Sequence, residues 1–333
     1  MWPGRPVSRR LRSLLGGLAV TTALLVGLEV AARALDVPQG VIHDAEGRLY
    51  RNHPTLFWVM RRNADVIRDD GLEVHTNELG LRSPPLDAGH RRPRVLSLGE
   101  SSTFGAGVRA EETYTAQLAR LLDVEPVNAS VPGYTSWQSA VWFDEVGRTL
   151  DPQVVLFYHQ HNDQLPAGIT DDKNYLYRVS GTDREMYEAR LQWSGFLSVA
   201  YQSRAYLYAR GWLLRHAGDP QAGKGEAGSA PRVRVPDTDR AYALEWIAKG
   251  CAAPACRLVV LQPVYAVTEP DPVLRDTAAR LGVTYLTLTR ARHASGLSDT
   301  AFFSDGIHPT AAGHRALAEA IARTITPLLP LAR

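Results

Sequence analysis

Short runs of consecutive apolar residues recur along the chain. They are separated by longer stretches in which apolar positions return every three or four residues. Residues 94–98, 126–130, 154–158, 258–262 and 283–287 have the first pattern, which predicts short buried strands. Residues 111–122 have the second, with Tyr114, Leu118 and Leu121 on one helical face, and the last segment repeats it with Leu317, Ile321 and Ile325. Pro309 is a favoured first-turn residue and predicts where that last helix begins. Strands apolar on both faces and joined by helical crossovers predict a parallel sheet of about five strands, in a flavodoxin-like three-layer α/β/α fold.

Two stretches depart from this rhythm. Residues 14–28 are uncharged and follow Arg5, Arg9, Arg10 and Arg12. At about 1.5 Å per residue they fall short of a hydrocarbon core about 30 Å thick, and continuing the helix to Leu35 reaches it. Glu29 and Arg33 then pair one turn apart at the outer interface. The basic flank predicts an inner-membrane anchor over 1–36, N-terminus inside, with everything after it extracytoplasmic. A cleaved signal peptide is the alternative, since Ala32-Arg33-Ala34 loosely matches a small-x-small site, although the central Arg disfavours cleavage. Ser8-Arg9-Arg10 also resembles a twin-arginine signal, with Arg12 where an apolar residue is expected.

A short β-rich connector follows over 37–92, with strands near 56–60 and 73–76 and a turn from Asn77 to Arg82, before the main domain at 93–333. Within that domain about 164–237 breaks the alternation. Its first part carries Tyr175, Tyr177, Tyr187, Trp193, Tyr201, Tyr206, Tyr208 and Trp212, and residues 218–236 are rich in Gly, Pro, Ala and charge. This reads as an inserted helical cap and a flexible loop. Aromatics at helical spacing more often pack than line a groove, yet the insertion leaves from a strand's C-terminal end, where ligands of such sheets bind.

Charge and cysteine content narrow the function. The chain has 333 residues with 37 Lys+Arg against 35 Asp+Glu, and residues 1–36 hold five Arg and two acids, so the remainder is close to −1. No basic footprint for nucleic acid is left. Two cysteines are too few for a disulfide scaffold or a four-ligand zinc site; Cys251 and Cys256 are either a small-loop disulfide or two buried thiols. His159 and His161 alternate along a strand as a metal pair, but Asp163 points elsewhere and no third ligand is in view, so neither metal nor cofactor is expected. His314 and Gly313 belong to the packing of the last helix, and the sequon at Asn128 falls on a buried strand end.

The chemistry lies at strand ends. The first strand runs into Gly99-Glu100-Ser101-Ser102, placing a serine at the mouth of the sheet beside a helix-entering turn. A serine hydroxyl needs a base in hydrogen-bond reach, oriented by a third group. Asp305 and His308, three apart, fold onto one turn where the carboxylate holds one ring nitrogen and leaves the other for Ser101. Gly133 ends the second strand and Asn162 the third; with the Ser101 N–H they supply three donors for an oxyanion.

Four such elements in this order resemble the SGNH, or GDSL-type, hydrolases over residues 94–329 apart from the insertion. The resemblance implies Ser101 as nucleophile and first oxyanion donor, Gly133 and Asn162 as the other donors, His308 as base and Asp305 as its orienting acid. An N-terminal membrane segment followed by a β-rich piece ending in Asn-x-x-Gly-hydrophobe-Arg also resembles bacterial extracytoplasmic members. Two positions depart from the family: Glu100 stands for its Asp, and Gln160 for a glycine.

The expected function is an anchored serine esterase acting through an acyl-enzyme on a short-acyl, acetyl-like ester of a carbohydrate or other envelope substrate. The runner-up is an O-acyltransferase in which a sugar hydroxyl replaces water. A lipase- or lysophospholipase-like hydrolase and a catalytically silent glycan-binding subunit rank lower. The sequence assigns no oligomeric state.

Overall fold

The computed structural model describes residues 9–35, 37, 48–68, 71–167, 181–216, 232–252, 256–265 and 271–330. Arg5, Ser8, Tyr175, Tyr177 and most of the Gly- and Pro-rich stretch lie outside them.

Helix α1 (Arg9–Ala34) is, among the described residues, the one helix long and apolar enough to cross a membrane, and none of its apolar window is buried against the protein. That separates it from a core helix. Glu29 and Arg33 pair at 2.7 Å, as their spacing predicts.

The connector forms two antiparallel hairpins, β1 (Tyr50–His53) with β2 (Phe57–Met60), and β3 (Asp65–Ile67) with β4 (Glu73–His75). Leu49, Tyr50, Phe57 and Trp58 are buried in the same core cluster as Leu96, Leu98 and Phe104, so the connector packs as part of the main body. Its final turn is set by Asn77, whose side-chain oxygen accepts from the N–H groups of Leu79 and Leu81. Arg82 then reaches in, buried, and donates to the carbonyls of Phe104, Gly105 and Val108.

The main sheet comprises β5 (Arg94–Gly99), β6 (Glu125–Asn128), β7 (Val154–Tyr158), β8 (Arg257–Gln262) and β9 (Thr284–Thr287), all parallel, in the order β6-β5-β7-β8-β9. In chain order the helices are α2 (Ser101–Phe104), α3 (Tyr114–Leu121), α4 (Ser136–Glu145), α5 (His161–Gln164), α6 (Asp183–Leu191), α7 (Ser194–Ala200), α8 (Arg204–His216), α9 (Asp237–Gly250), α10 (Pro272–Leu281), α11 (Leu288–Ala294), α12 (Asp299–Phe302) and α13 (Ala311–Ile325). Strand side chains alternate between two cores. Val155 and Phe157 pack with α4, α9 and α10, whereas Val154, Leu156 and Tyr158 pack with α3, α11 and α13. This is the predicted three-layer α/β/α fold. Because β6 and β7 leave β5 on opposite sides, the chain opens a crevice at the C-terminal ends of β5 and β7, the topological switch point where such sheets bind ligands.

Element ends differ from the pattern for local reasons. Helix α3 starts at Tyr114 rather than 111, because the Thr113 hydroxyl accepts from the Ala116 N–H and caps it there. Helix α13 starts at Ala311, not Pro309: Pro309 is held in a β-bridge with Phe303, and Thr310 caps the helix through the Gly313 N–H. Cys251 and Cys256 form a disulfide.

The described part of the insertion is helical, as expected, and its neck is closed by backbone bonds from Ala167 to Arg232 and from Arg234 to Leu165. Its described helices lead away to α4, the connector and α1. Tyr187 packs edge-on against Trp137, Tyr201 lies beside Tyr206, and the Arg190 guanidinium lies 4.7 Å from the Phe57 ring centre. These rings are packing residues.

Candidate active site

Strand β5 delivers Ser101 to the first turn of α2. The approach requires Gly99, since a Cβ there would run into the Thr103 side chain. The helix is stopped after one turn by Gly105 in a left-handed conformation, φ 86°, a loop that Arg82 holds through its carbonyl contacts.

The loop between α12 and α13 brings Asp305 and His308. It is pinned at its base by the Phe303–Pro309 bridge and by the Ser304 N–H donating to the His308 carbonyl. Inside it, Asp305 Oδ1 accepts from the backbone N–H groups of Ile307 and His308 at 3.0 and 2.8 Å, and Oδ2 lies 2.6 Å from His308 Nδ1. His308 Nε2 lies 2.8 Å from Ser101 Oγ. Partial burial pushes the Asp305 carboxyl up, but the hydrogen bonds from His308 and Ile307 outweigh it and hold it at about 2. The group is therefore an anion throughout the neutral range, able to keep an N–H on Nδ1 and leave Nε2 basic. Ser102, the neighbouring hydroxyl, is buried and donates to the Ile307 carbonyl, which ties α2 to the histidine loop.

The other strand ends close on the same point. After β6 the chain turns back through the Val131 N–H, bonded to the Gly99 carbonyl, and reaches Gly133 at φ 83°. A Cβ at Gly133 would meet the Trp58 ring at 3.0 Å, so both the turn and the connector beneath it select glycine. Asn162 Nδ2 donates to the Tyr134 carbonyl at 3.0 Å, and its backbone N–H donates to Glu100 at 3.1 Å. The serine, glycine, asparagine and histidine elements are thus bonded to one another around one rim.

The two positions that depart from the family pattern are both turned inward. Glu100 is buried and accepts from the Tyr265 hydroxyl at 2.8 Å as well as from Asn162. Burial pushes its carboxyl up to about 7 against those hydrogen bonds. Gln160 is buried between β7 and α5.

The expected shared face of His159 and His161 is not found, because β7 ends at Tyr158 and α5 begins at His161. His159 is fully buried against Ser139 Oγ, 2.8 Å away, while His161 lies edge-on to Tyr265. Burial lowers both imidazoles, His159 to about 3; the charge of His308 also lowers His161. His314 is a packing residue: it is buried and its Nδ1 accepts from the Tyr114 N–H.

Three supports had no motif to announce them. Tyr265 follows β8 and holds Glu100; Arg234, at the far end of the insertion, donates to the Gly133 carbonyl at 3.0 Å; Arg82 braces the loop behind Ser101. Only the isolated Arg between apolar residues at 234 hinted at a buried charge.

The profile of the GDSL-like Lipase/Acylhydrolase family matches residues 97–316, about two thirds of the chain. Similar solved structures include LAE5, an alpha/beta hydrolase enzyme from the metagenome of Lake Arreo, Spain, with 17% identity, TM-score 0.43, and coverage of 72% of this chain and 97% of that one. TesA aligns with 17% identity and TM-score 0.42 over 71% of this chain and 99% of its own. Axe2, an acetylxylan esterase from Geobacillus stearothermophilus, aligns with 16% identity and TM-score 0.43 over 72% and 97%. Among curated proteins none matches the chain in sequence. The family match runs from the second half of β5 through β6, β7, β8 and β9 and covers the whole of the Ser101 and His308 loops, and on it the chain belongs to the GDSL-like lipase/acylhydrolase family of hydrolases.

Proposed function

We propose that the chain is a serine esterase that transfers a short acyl group to water through an acyl-enzyme on Ser101. The single observation that carries this reading is the continuous hydrogen-bonded line from Asp305 through His308 to Ser101, with both contacts under 3 Å. In the reaction His308 Nε2 takes the Ser101 proton as Oγ adds to the ester carbonyl, Asp305 steadies the resulting imidazolium, and the same proton passes to the leaving alcohol. Water, deprotonated by His308, then releases the acid and restores Ser101. The N–H of Ser101, the N–H of Gly133 and the side-chain amide of Asn162 receive the oxyanion in both steps.

A short acyl group, acetyl above all, is favoured by a buried Gln160 at the end of β7, where the family has glycine and so more room. The half-exposed Asp305 makes the rim open and wet, which suits an ester displayed on a polar carrier such as a glycan. The proposed organisation is a membrane helix at 1–36, a connector at 37–92, and the hydrolase domain at 93–333 with its insertion at about 164–237. In this organisation the active site is extracytoplasmic.

The test is kcat/KM of the full chain across acetyl, butyryl and octanoyl esters of one leaving group, with and without a glycan acceptor. Each methylene is worth up to about 1–3 kcal/mol of discrimination in a shaped pocket. Acetyl preference with free acid as product supports the reading. Octanoyl preference overturns the short-acyl proposal, and acylated glycan in place of free acid makes the protein an O-acyltransferase.

A further inference from the structure

Helices α7 and α8 expose an apolar face that the hydrolase reading does not use. Trp193, Phe196 and Val199 recur at three-residue spacing along α7 and its entry, and Tyr208, Trp212 and Leu213 share the outer face of α8. All six side chains are between 47% and 71% exposed. Among the described residues beyond α1 and Leu35 at its end, Leu191 lies two positions before Trp193, and the other large exposed apolar residues, Ile67, Leu121 and Tyr242, are scattered singly, as on any protein surface. A clustered apolar face of this kind marks an interaction surface.

What it faces is fixed by where the two helices are tied. The turn between them is bonded to the end of α1: Glu29 accepts from the Ser203 hydroxyl at 2.7 Å and from the backbone N–H groups of Arg204 and Ala205 at 3.2 Å. Glu29 thereby supplies the first-turn acceptor that α8 needs. Arg33, paired with Glu29, donates to the Gln202 carbonyl at 3.2 Å. Glu29 directly follows Leu28, the last residue of the uncharged stretch, and lies six residues, about 9 Å, before Leu35, so the turn is locked to the outer end of α1. At about 1.5 Å of rise per residue, Trp193 and Leu213, each ten residues from Ser203, are within about 15 Å of that turn.

We propose that α7 and α8 lie in the outer headgroup region of the bilayer that α1 spans, with Trp193, Phe196, Val199, Tyr208, Trp212 and Leu213 seated at the boundary between headgroups and acyl chains. The inference rests on the reading of α1 as a membrane-spanning helix. Trp and Tyr favour that zone because an apolar ring and a polar edge are both satisfied there, and Phe, Val and Leu supply buried area. The single helix would otherwise be a pivot. With the two helices resting on the lipid beside it, the domain is held at a set height and tilt, and the Ser101 rim faces a fixed layer above the membrane.

The test uses site-directed nitroxides on the full chain in vesicles of phosphatidylethanolamine and phosphatidylglycerol. Both native cysteines are consumed in the Cys251–Cys256 disulfide, so one introduced cysteine gives one label. Collision with oxygen, which concentrates in lipid, is compared with collision with a water-soluble nickel chelate for labels at Phe196→Cys, Leu213→Cys, Leu18→Cys in mid-α1, and Arg323→Cys on the exposed side of α13. The labels at 196 and 213 are expected at interfacial depth, that at 18 deep in the bilayer, and that at 323 in water. A deep label at 18 with aqueous labels at 196 and 213 overturns the platform while leaving the anchor intact. An aqueous label at 18 overturns the anchor and, with it, the proposal that rests on it, whatever the depth at 196 and 213. If a label lowers the thermal unfolding midpoint, Trp193→Cys and Tyr208→Cys repeat the measurement on the same two faces.

Discussion

Arg234 donates to the backbone carbonyl of Gly133, and the same guanidinium is buried against Asp183 at 2.9 Å. Gly133 is therefore gripped from above by an arginine of the insertion and from below by the Trp58 ring. Arg234→Met would leave the Asp183 charge buried, with the Thr135 hydroxyl still donating to it. Breaking one side of a buried pair costs about 3–5 kcal/mol, whereas replacing both partners by apolar groups is often neutral. Denaturant unfolding should show a loss of that size for Arg234→Met and its recovery in Arg234→Met/Asp183→Leu, with turnover still reduced in the double variant because Gly133 has lost its grip. Full turnover in the double variant would show that the arginine matters only for folding.

An organophosphonate probe should label the wild-type protein at Ser101. Ser102 is buried and engaged with Ile307, so it should stay unlabelled. His308→Ala removes the base 2.8 Å from Oγ and should slow labelling severely without unfolding the chain. Peptide mapping after labelling is the measurement, and adduct on Ser102 would reverse the assignment.

Asn162→Ala removes one side-chain donor from the proposed oxyanion site. Loss of one such donor typically costs about 10²–10³ in kcat. KM should change far less, since the donor acts mainly on charge that develops after binding. Steady-state kinetics on an aryl acetate separates the two; a collapse of the folded state would instead identify the Asn162–Tyr134 contact as structural.

Glu100 should impose a pH dependence on stability. Its carboxyl is raised from 4.5 to about 7 in the folded chain, so the folded state binds the proton more tightly than the unfolded one. Its contribution is fully present below pH 4.5 and is lost as pH rises to about 7. Glu100→Gln keeps an acceptor for the Asn162 N–H and cannot ionise. The difference in unfolding free energy between the two proteins should therefore shift in favour of the variant across that window and be flat above it. Asp163, raised by burial to about 6, also pushes Glu100 up through its charge, so the change across this window belongs to the two carboxyls as a pair. A constant difference across the window would mean that Glu100 is ionised in the fold throughout.

The sheet was legible because its strands are buried on both faces and so spell unbroken apolar runs; all five were found within two residues of their ends. That Asp305, His308 and Ser101 come together was legible because each sits within a few residues of a strand or helix boundary that the pattern also marks. Tyr265, Arg82 and Arg234 were not. Each acts through one long side chain reaching across the fold, and no local spacing encodes where such a side chain arrives. The histidines at 159 and 161 misled for a related reason: two-residue spacing implies one face only while the strand continues, and β7 had already ended at Tyr158.

The neck of the insertion separates two problems for the chain. The bonds from Ala167 to Arg232 and from Arg234 to Leu165 hold the two exits together, so the sheet meets the same pair of chain ends whatever lies between. Loop-closure entropy grows only logarithmically with length. The segment can therefore be swapped, shortened or grafted onto a relative of this fold at little expense to the catalytic core, on one condition. Any replacement must return an acidic side chain to the place of Asp183, or Arg234 and the glycine turn that it holds are left without their counter-charge.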